Sequence, residues 1–215
     1  MNTTIPYTNL ITGTMDVISQ SLTIPVLIIL SIMFIITVVM LGMVISEYTS
    51  RKKVSVETIS NLIYDINNAT SINELDAIVS NCQLPQSQKD VLNRIIESDS
   101  LTETSREALA GRLVETEEEK TENTLQKTDI ITKIGPTLGL MGTLIPMGPG
   151  LAALGAGDIT TLAQSLTVAF DTTIVGIGSG ALAYVLSKVR RGWYEHYLSD
   201  LDALTDALLD KMGRL

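Results

Sequence analysis

The chain has 215 residues, 45% of them hydrophobic, and a formal net charge of −9. A positive mean hydropathy beside that acidity points to membrane spans joined to an acidic soluble part rather than to one globular domain. The acidity argues against nucleic-acid binding, and a lone cysteine, Cys82, rules out an internal disulfide framework or a multi-thiolate metal site within one chain.

Residues 1–23 contain no basic residue and one acid, Asp16, so the positive start of a cleaved secretory signal is missing. Ile5, Leu10, Ile11, Val17, Ile18 and Leu22 suit a short interfacial helix. Asn2-Thr3-Thr4 is a glycosylation sequon that would be accessible if this end lies outside the cell. Residues 24–46 are long and apolar enough for a first transmembrane helix. Their wealth of Ile, Val and Met, with little Gly, suits a lipid-facing outer helix.

Residues 47–128 are expected to form a helical cytoplasmic domain. Ser71 and Glu74 have the spacing of a capping box ahead of Leu75, Ile78 and Val79. Pro85 suits a helix start before Val91, Leu92, Ile95 and Ile96. From about Thr102 a long helix is expected to run towards the membrane, with Glu115 to Glu122 as a solvated face. Between Ala108 and Lys133 only Gly111 weakens it, so it can continue directly into the next span.

Residues 129–154 and 159–187 are expected as the second and third spans. From Ile134 to Leu186 there is no Lys or Arg, and Asp158 and Asp171 are the only acids. Gly155, Gly157 and Asp158 supply the turn between the two runs. Gly135, Gly139 and Gly142 on one run, with Gly176 and Gly180 on the other, let two backbones approach where lipid offers no hydrophobic drive. Pro146 and Pro149 each remove a backbone donor, so a bend is expected in the outer half of the second span. Thr143 lies fourteen residues before Gly157 and Asp171 fourteen after it, which places them at one depth, with Thr173 slightly deeper. An acid within the bilayer is a functional hypothesis by default, because insertion of a charge there costs at least ~2.5–3.5 kcal/mol. At 100° per residue Asp171 points about 160° away from Thr173. If Thr173 faces a pore, Asp171 is then expected at a contact with the second span, the first span or a neighbouring subunit, with Thr137 and Thr143 as candidate partners. A role for Asp171 as a proton site is the alternative.

Residues 188–215 form an amphipathic helix, with Tyr197, Leu201, Leu204 and Leu208 on one face and four aspartates beside them. Trp193 and Tyr194 stand where an aromatic belt is expected. Arg51 to Lys53, Lys127 with Lys133, and Lys188 with Arg190 and Arg191 flank the spans, while the outer tail and the hairpin turn have no basic residue. The positive-inside rule then places the N-terminus outside and the C-terminus in the cytoplasm of a multi-pass cell-membrane protein.

Catalytic equipment is thin. His196 is the only histidine and lies beside the membrane, the glycine-rich stretch lacks the Lys-Ser/Thr ending of a phosphate-binding loop, and no His/carboxylate cluster has metal-ligand spacing. No enzyme, cofactor or metal is expected.

Gly139-Leu-Met-Gly-Thr143, followed by Asp171-Thr-Thr-Ile-Val-Gly176, resembles the MotA/TolQ/ExbB proton-channel family over about Leu109 to Tyr194. The resemblance implies an all-α membrane fold and a homo-oligomeric ring, typically of five copies, with the second and third spans around a pore. It implies a partner at the centre, a single-span ExbD/TolR-like protein carrying a protonatable Asp, and proton flow that drives work beyond the membrane. Three spans suit the TolQ/ExbB-like branch. Motif matching puts the two pore-lining threonines at Thr143 and Thr173; the glutamate that relatives often carry five residues before the second is Val168 here. Two other classes stay open: a stand-alone proton or ion carrier using Asp171, and a membrane scaffold that conducts nothing.

Overall fold

The computed structural model describes residues 8–50 and 54–215, with side chains described for residues 11–49 and 54–215. The Asn2-Thr3-Thr4 sequon, Ile5 and the basic cluster Arg51 to Lys53 lie outside the described residues, as does the side chain of Leu10. All regular structure among the described residues is helical: α1 (Thr8–Ser50), α2 (Val56–Asn68), α3 (Ile72–Asn81), α4 (Gln86–Ile96), a short 3₁₀ turn (Glu97–Ser100), α5 (Glu103–Gly155) and α6 (Ile159–Met212). The chain is an all-α protein in which α1, α5 and α6 are each long and apolar enough to cross a membrane.

Three helices are longer than the spans they contain. α1 is one helix of 43 residues, so the segment before the first span continues it rather than lying apart as a short interfacial helix. Pro25 lies inside it and removes the donor that would serve the Ser21 carbonyl, yet the helix persists on both sides. α5 runs on through Gly111 and through Pro136, Pro146 and Pro149. α6 carries the third span and the amphipathic tail in one piece of 54 residues. No glycine, proline or side-chain cap between Ser187 and Trp193 offers the backbone a stop except Gly192, and one glycine costs a helix only about 1 kcal/mol.

The contacts divide the chain into two units. The first holds residues 1–45 and 126–188, and so contains the hairpin of α5 and α6. Ala156 to Asp158 make its turn, with Gly157 at φ +84°, a conformation that a side chain disfavours. Asp158 caps α6: its carboxylate accepts from the Thr161 hydroxyl at 2.5 Å and from the Thr161 backbone N–H at 3.1 Å. The side-chain bond, helped by the backbone bond, holds the Asp158 carboxyl below the ordinary carboxylate range. In the same unit α1 buries Val26, Leu30, Met33, Thr37, Met40 and Val44, a stripe at alternating spacings of four and three. Its other faces expose Ile28, Ile32, Ile35 and Val39, as a helix facing lipid must.

The second unit holds residues 46–125 and 189–215. Its core joins Leu62, Ile66, Leu75, Val79, Leu92 and Ile95 from α2 to α4 with Leu201, Leu204 and Leu208 of α6, the last three fully buried. The amphipathic tail thus packs on the small helices. Gln88 donates to the Tyr197 carbonyl at 2.9 Å, Lys211 to the Asn67 carbonyl at 2.9 Å, and the Tyr197 hydroxyl to Glu117 at 3.0 Å. Buried Arg190 pairs with Glu47 at 3.2 Å, and Tyr48 stacks on Trp193 with ring centroids 6.1 Å apart. Ser71 caps α3 by accepting from Glu74 N–H at 3.4 Å. Glu74 completes the cap one residue earlier than a standard capping box, accepting from both the backbone N–H and the hydroxyl of Thr70.

Candidate functional site: the glycine seam and its polar edge

The hairpin is closed by backbone against backbone. A Cβ added to Gly176 would fall 2.6 Å from the Gly139 Cα, and one on Gly135 would meet the Gly176 carbonyl at 2.8 Å. One on Gly180 would strike the Pro136 ring at 2.7 Å, and one on Gly142 would enter the Thr172 side chain at 2.6 Å. Gly150 faces Ser165 in the same way, at 2.8 Å. These contacts trace a seam from Gly135 to Gly150 near the turn. Such closeness maximises dispersion and Cα–H···O contact, the terms that hold helices together in lipid.

The seam fixes where the other side chains go. On α5, Thr143 follows Gly142 and lies four residues after Gly139; on α6, Thr173 follows Thr172 and lies three before Gly176. Each is rotated about 60–70° from the seam in the same sense. Because the helices run antiparallel, equal rotations bring Thr143 and Thr173 to the same edge of the hairpin. Both are half-buried, and their hydroxyls donate to their own helices, Thr143 to the Leu140 carbonyl at 2.7 Å and Thr173 to the Ala169 carbonyl at 3.0 Å. Around them this edge leaves Leu140, Phe170, Ile177 and Tyr184 exposed.

The opposite edge is covered. Ile131 and Ile145 of α5 and Ser179 and Leu186 of α6 are rotated the other way and are buried. α1 clusters with the hairpin in this unit and buries its own stripe there, so its stripe and this buried edge answer each other, while the threonine edge keeps exposed side chains.

Asp171 stands on neither edge. It lies about 140° from the seam, pointing away from α5, and is exposed together with Gln164 and Thr167. Among the described residues it has no hydrogen bond or ion pair, and Thr137 donates to the Lys133 carbonyl on its own helix. Within one chain, therefore, Asp171 meets neither Thr137 nor Thr143. Val168 is also exposed, on the same outer side.

Two features were not singled out from the sequence. Thr172, rather than Thr173, is the threonine buried against α5, and its hydroxyl donates to the carbonyls of Val168 and Ala169 at 2.9 Å. Its place in the run Thr172, Gly176, Gly180, at spacings of four, is the signal that marks it as seam. The other is a hydrogen bond between Ser187 and Asp129 at 2.6 Å, which ties α6 to α5 at the end of the hairpin remote from the turn. The 14-residue distances from these two to Thr173 and Thr143 are visible in the sequence, but nothing there pairs them.

Three helices long and apolar enough to cross a membrane, two of them closed on each other along a glycine seam, fit a multi-pass membrane protein. A comparison with known families matches residues 83–203 to the MotA/TolQ/ExbB proton channel family. The chain belongs to that family, whose members are proton channels for energy transduction. The match starts in the loop before α4 and runs to the buried Leu201 turn of α6, so it takes in part of the second unit as well as the hairpin. No individual curated protein matches the chain.

Proposed function

We propose that the chain is the pore-forming subunit of a proton-driven, energy-transducing complex of the TolQ/ExbB-like branch. Copies assemble as a ring, five by family resemblance, around a single-span ExbD/TolR-like partner that brings a protonatable Asp. The N-terminus lies outside, and the second unit and the C-terminus lie in the cytoplasm.

One observation carries this reading. Thr143 and Thr173 share one edge of the hairpin, half-buried among exposed side chains, in a chain that belongs to a proton-channel family. A hairpin cannot enclose a pore alone, but several copies with their open edges turned inward can. Threonine hydroxyls at one level then supply polar atoms that can hold water and pass protons in an otherwise apolar lumen. Asp171 points elsewhere, which weighs against a stand-alone carrier working through that acid. Its exposed position has a different consequence. A carboxyl in the bilayer faces protein or water rather than lipid, so Asp171 hydrogen-bonds across the contact with a neighbouring copy.

The test uses the tagged chain isolated from its native membranes. Native mass measurement in mild detergent gives a cyclic oligomer together with a small single-span protein, and proton uptake into vesicles containing the complex is abolished by Thr173→Val in a ring of unchanged mass. A stable monomer, or undiminished uptake in Thr173→Val, overturns the proposal.

A further inference from the structure

The open edge of the hairpin carries a second polar level. Asp129 Oδ1 accepts from the Ser187 hydroxyl at 2.6 Å, with Ser187 buried and Asp129 half-buried. Asp129 precedes Thr143 by fourteen residues, and Ser187 follows Thr173 by fourteen. Fourteen residues are just under four helical turns, so the pair returns to within about 40° of the threonines' bearing, some 21 Å farther along the hairpin. The carboxyl of Asp129 thus stands on the threonines' edge at a second level, held from Ser187 beside the seam.

The end that holds the second level is basic. Lys127 and Lys133 flank Asp129 on α5, and Lys188 follows Ser187 on α6. A ring of such ends repels cations leaving a pore. Of the three acids in the hairpin unit beyond Gln126, Asp158 belongs to the turn and Asp171 to the outer face at the threonine level; only Asp129 lies at this end.

We propose that Asp129, oriented by Ser187, is the proton-accepting station at the inner end of the conduction path. This rests on the pore reading above. A proton that has passed the threonine level adds to a carboxylate oxygen of Asp129 and leaves it for water at the mouth, with no other bond made or broken. Five such carboxyls form a ring of the kind that draws cations through other pores. Ser187 is a positioning residue: its hydroxyl links the carboxyl to α6 and sets the carboxyl's direction.

A plain clamp between α5 and α6 would use the same hydrogen bond, so flow and assembly must be read separately. Rings isolated with their partner are placed in vesicles, and proton uptake per ring is followed against pH for Asp129→Asn, Asp129→Glu, Ser187→Ala and, as the control for the pore itself, Thr173→Val. The station requires Asp129→Asn to lose at least about tenfold in rings of unchanged mass. It requires Asp129→Glu to conduct with a displaced pH profile, and Ser187→Ala to lose less than Asp129→Asn. Wild-type uptake in Asp129→Asn beside blocked uptake in Thr173→Val overturns the station and leaves the pore standing. Undiminished uptake in both overturns the pore and the station together. If Asp129→Asn rings do not assemble, Asp129→Glu decides: intact rings with an unmoved pH profile make the pair a clamp and end the proposal.

Discussion

At the scale of single residues, position relative to the glycine seam decides what a side chain can do. Gly176→Val puts a branched side chain where even a Cβ meets the Gly139 backbone at 2.6 Å, so the helices must part. The expected loss is at least ~1–3 kcal/mol, by analogy with overpacked cores, seen as a lower midpoint of thermal unfolding in detergent. Gly111→Ala is the counterpart: nothing lies within 4 Å of its Cβ position, and the helix there gains up to ~1 kcal/mol. Asp171 and Thr173, two residues apart, are expected to separate by function. Asp171→Asn weakens the ring, by ~0.6–2 kcal/mol per contact if it follows other intramembrane hydrogen bonds, while Thr173→Val stops flow and spares assembly. Loss of flow in an intact Asp171→Asn ring would put that acid in the conduction path instead. Asp200 gives a pH signature. Burial pushes its carboxyl up, against the opposing pull of nearby His196. A raised acid binds its proton more readily folded than unfolded, so the folded state gains stability as pH falls through that pKa and is penalised above it. Asp200→Asn is therefore expected to melt higher than wild type at neutral pH, with the difference closing as the pH is lowered into the carboxylate range.

At the scale of elements, caps and continuity do the ordering. α3 depends on Ser71, so Ser71→Ala is expected to cost about 1 kcal/mol in the second unit. The reciprocal bond from Glu74 to Thr70 holds the Glu74 carboxyl below its ordinary range, through the backbone N–H first and the hydroxyl second. The sign is opposite to that of Asp200: this contribution is present at neutral pH and is lost as pH falls through the lowered folded pKa. Asp158 at the head of α6 behaves alike. α5 and α6 each pass from one unit to the other without a break in the helix. Arg190 on α6 belongs to the second unit, where it is buried and paired with Glu47 of α1. Glu47→Gln leaves that guanidinium without its counter-charge, at an expected cost of ~1.5–3 kcal/mol, less whatever water reaches the half-exposed carboxylate.

At the scale of the whole molecule the issue is sidedness and copy number. Basic residues at Lys127, Lys133, Lys188, Arg190 and Arg191 stand on one side of the hairpin and none stands at its turn. With Cys82 replaced by Ser, a cysteine at Gly157 is expected to react with an impermeant maleimide on intact cells, and cysteines at Glu118 and Asp206 are not. Labelling at Glu118 from outside would reverse the topology. The same basic asymmetry makes the carboxyl of Asp129 worth testing, because a cation path that ends among lysines needs a negative group there.

The sequence by itself determined the helical class, the three apolar stretches, the Gly157 turn and the family. Each of these follows from composition or from short-range spacing, which a chain cannot conceal: twenty apolar residues need a bilayer or a core, and glycines four apart share one helical face. Element ends were less legible. The segment before the first span and the tail after the third differ in polarity from the spans, yet backbone hydrogen bonding inside a helix is indifferent to what the side chains face, so α1 and α6 run straight through. Tertiary structure alone decided the rest. Which threonine packs and which stays on the open edge depends on rotation about the helix axis, and that is set by where the Gly139 and Gly176 backbones touch. That Asp171 has no partner among the described residues, and that Asp129 meets Ser187 across 58 positions, follow from the same contact. A seam of backbone contacts fixes the angle and register of both helices at once, and neither quantity is written in any local pattern of residues.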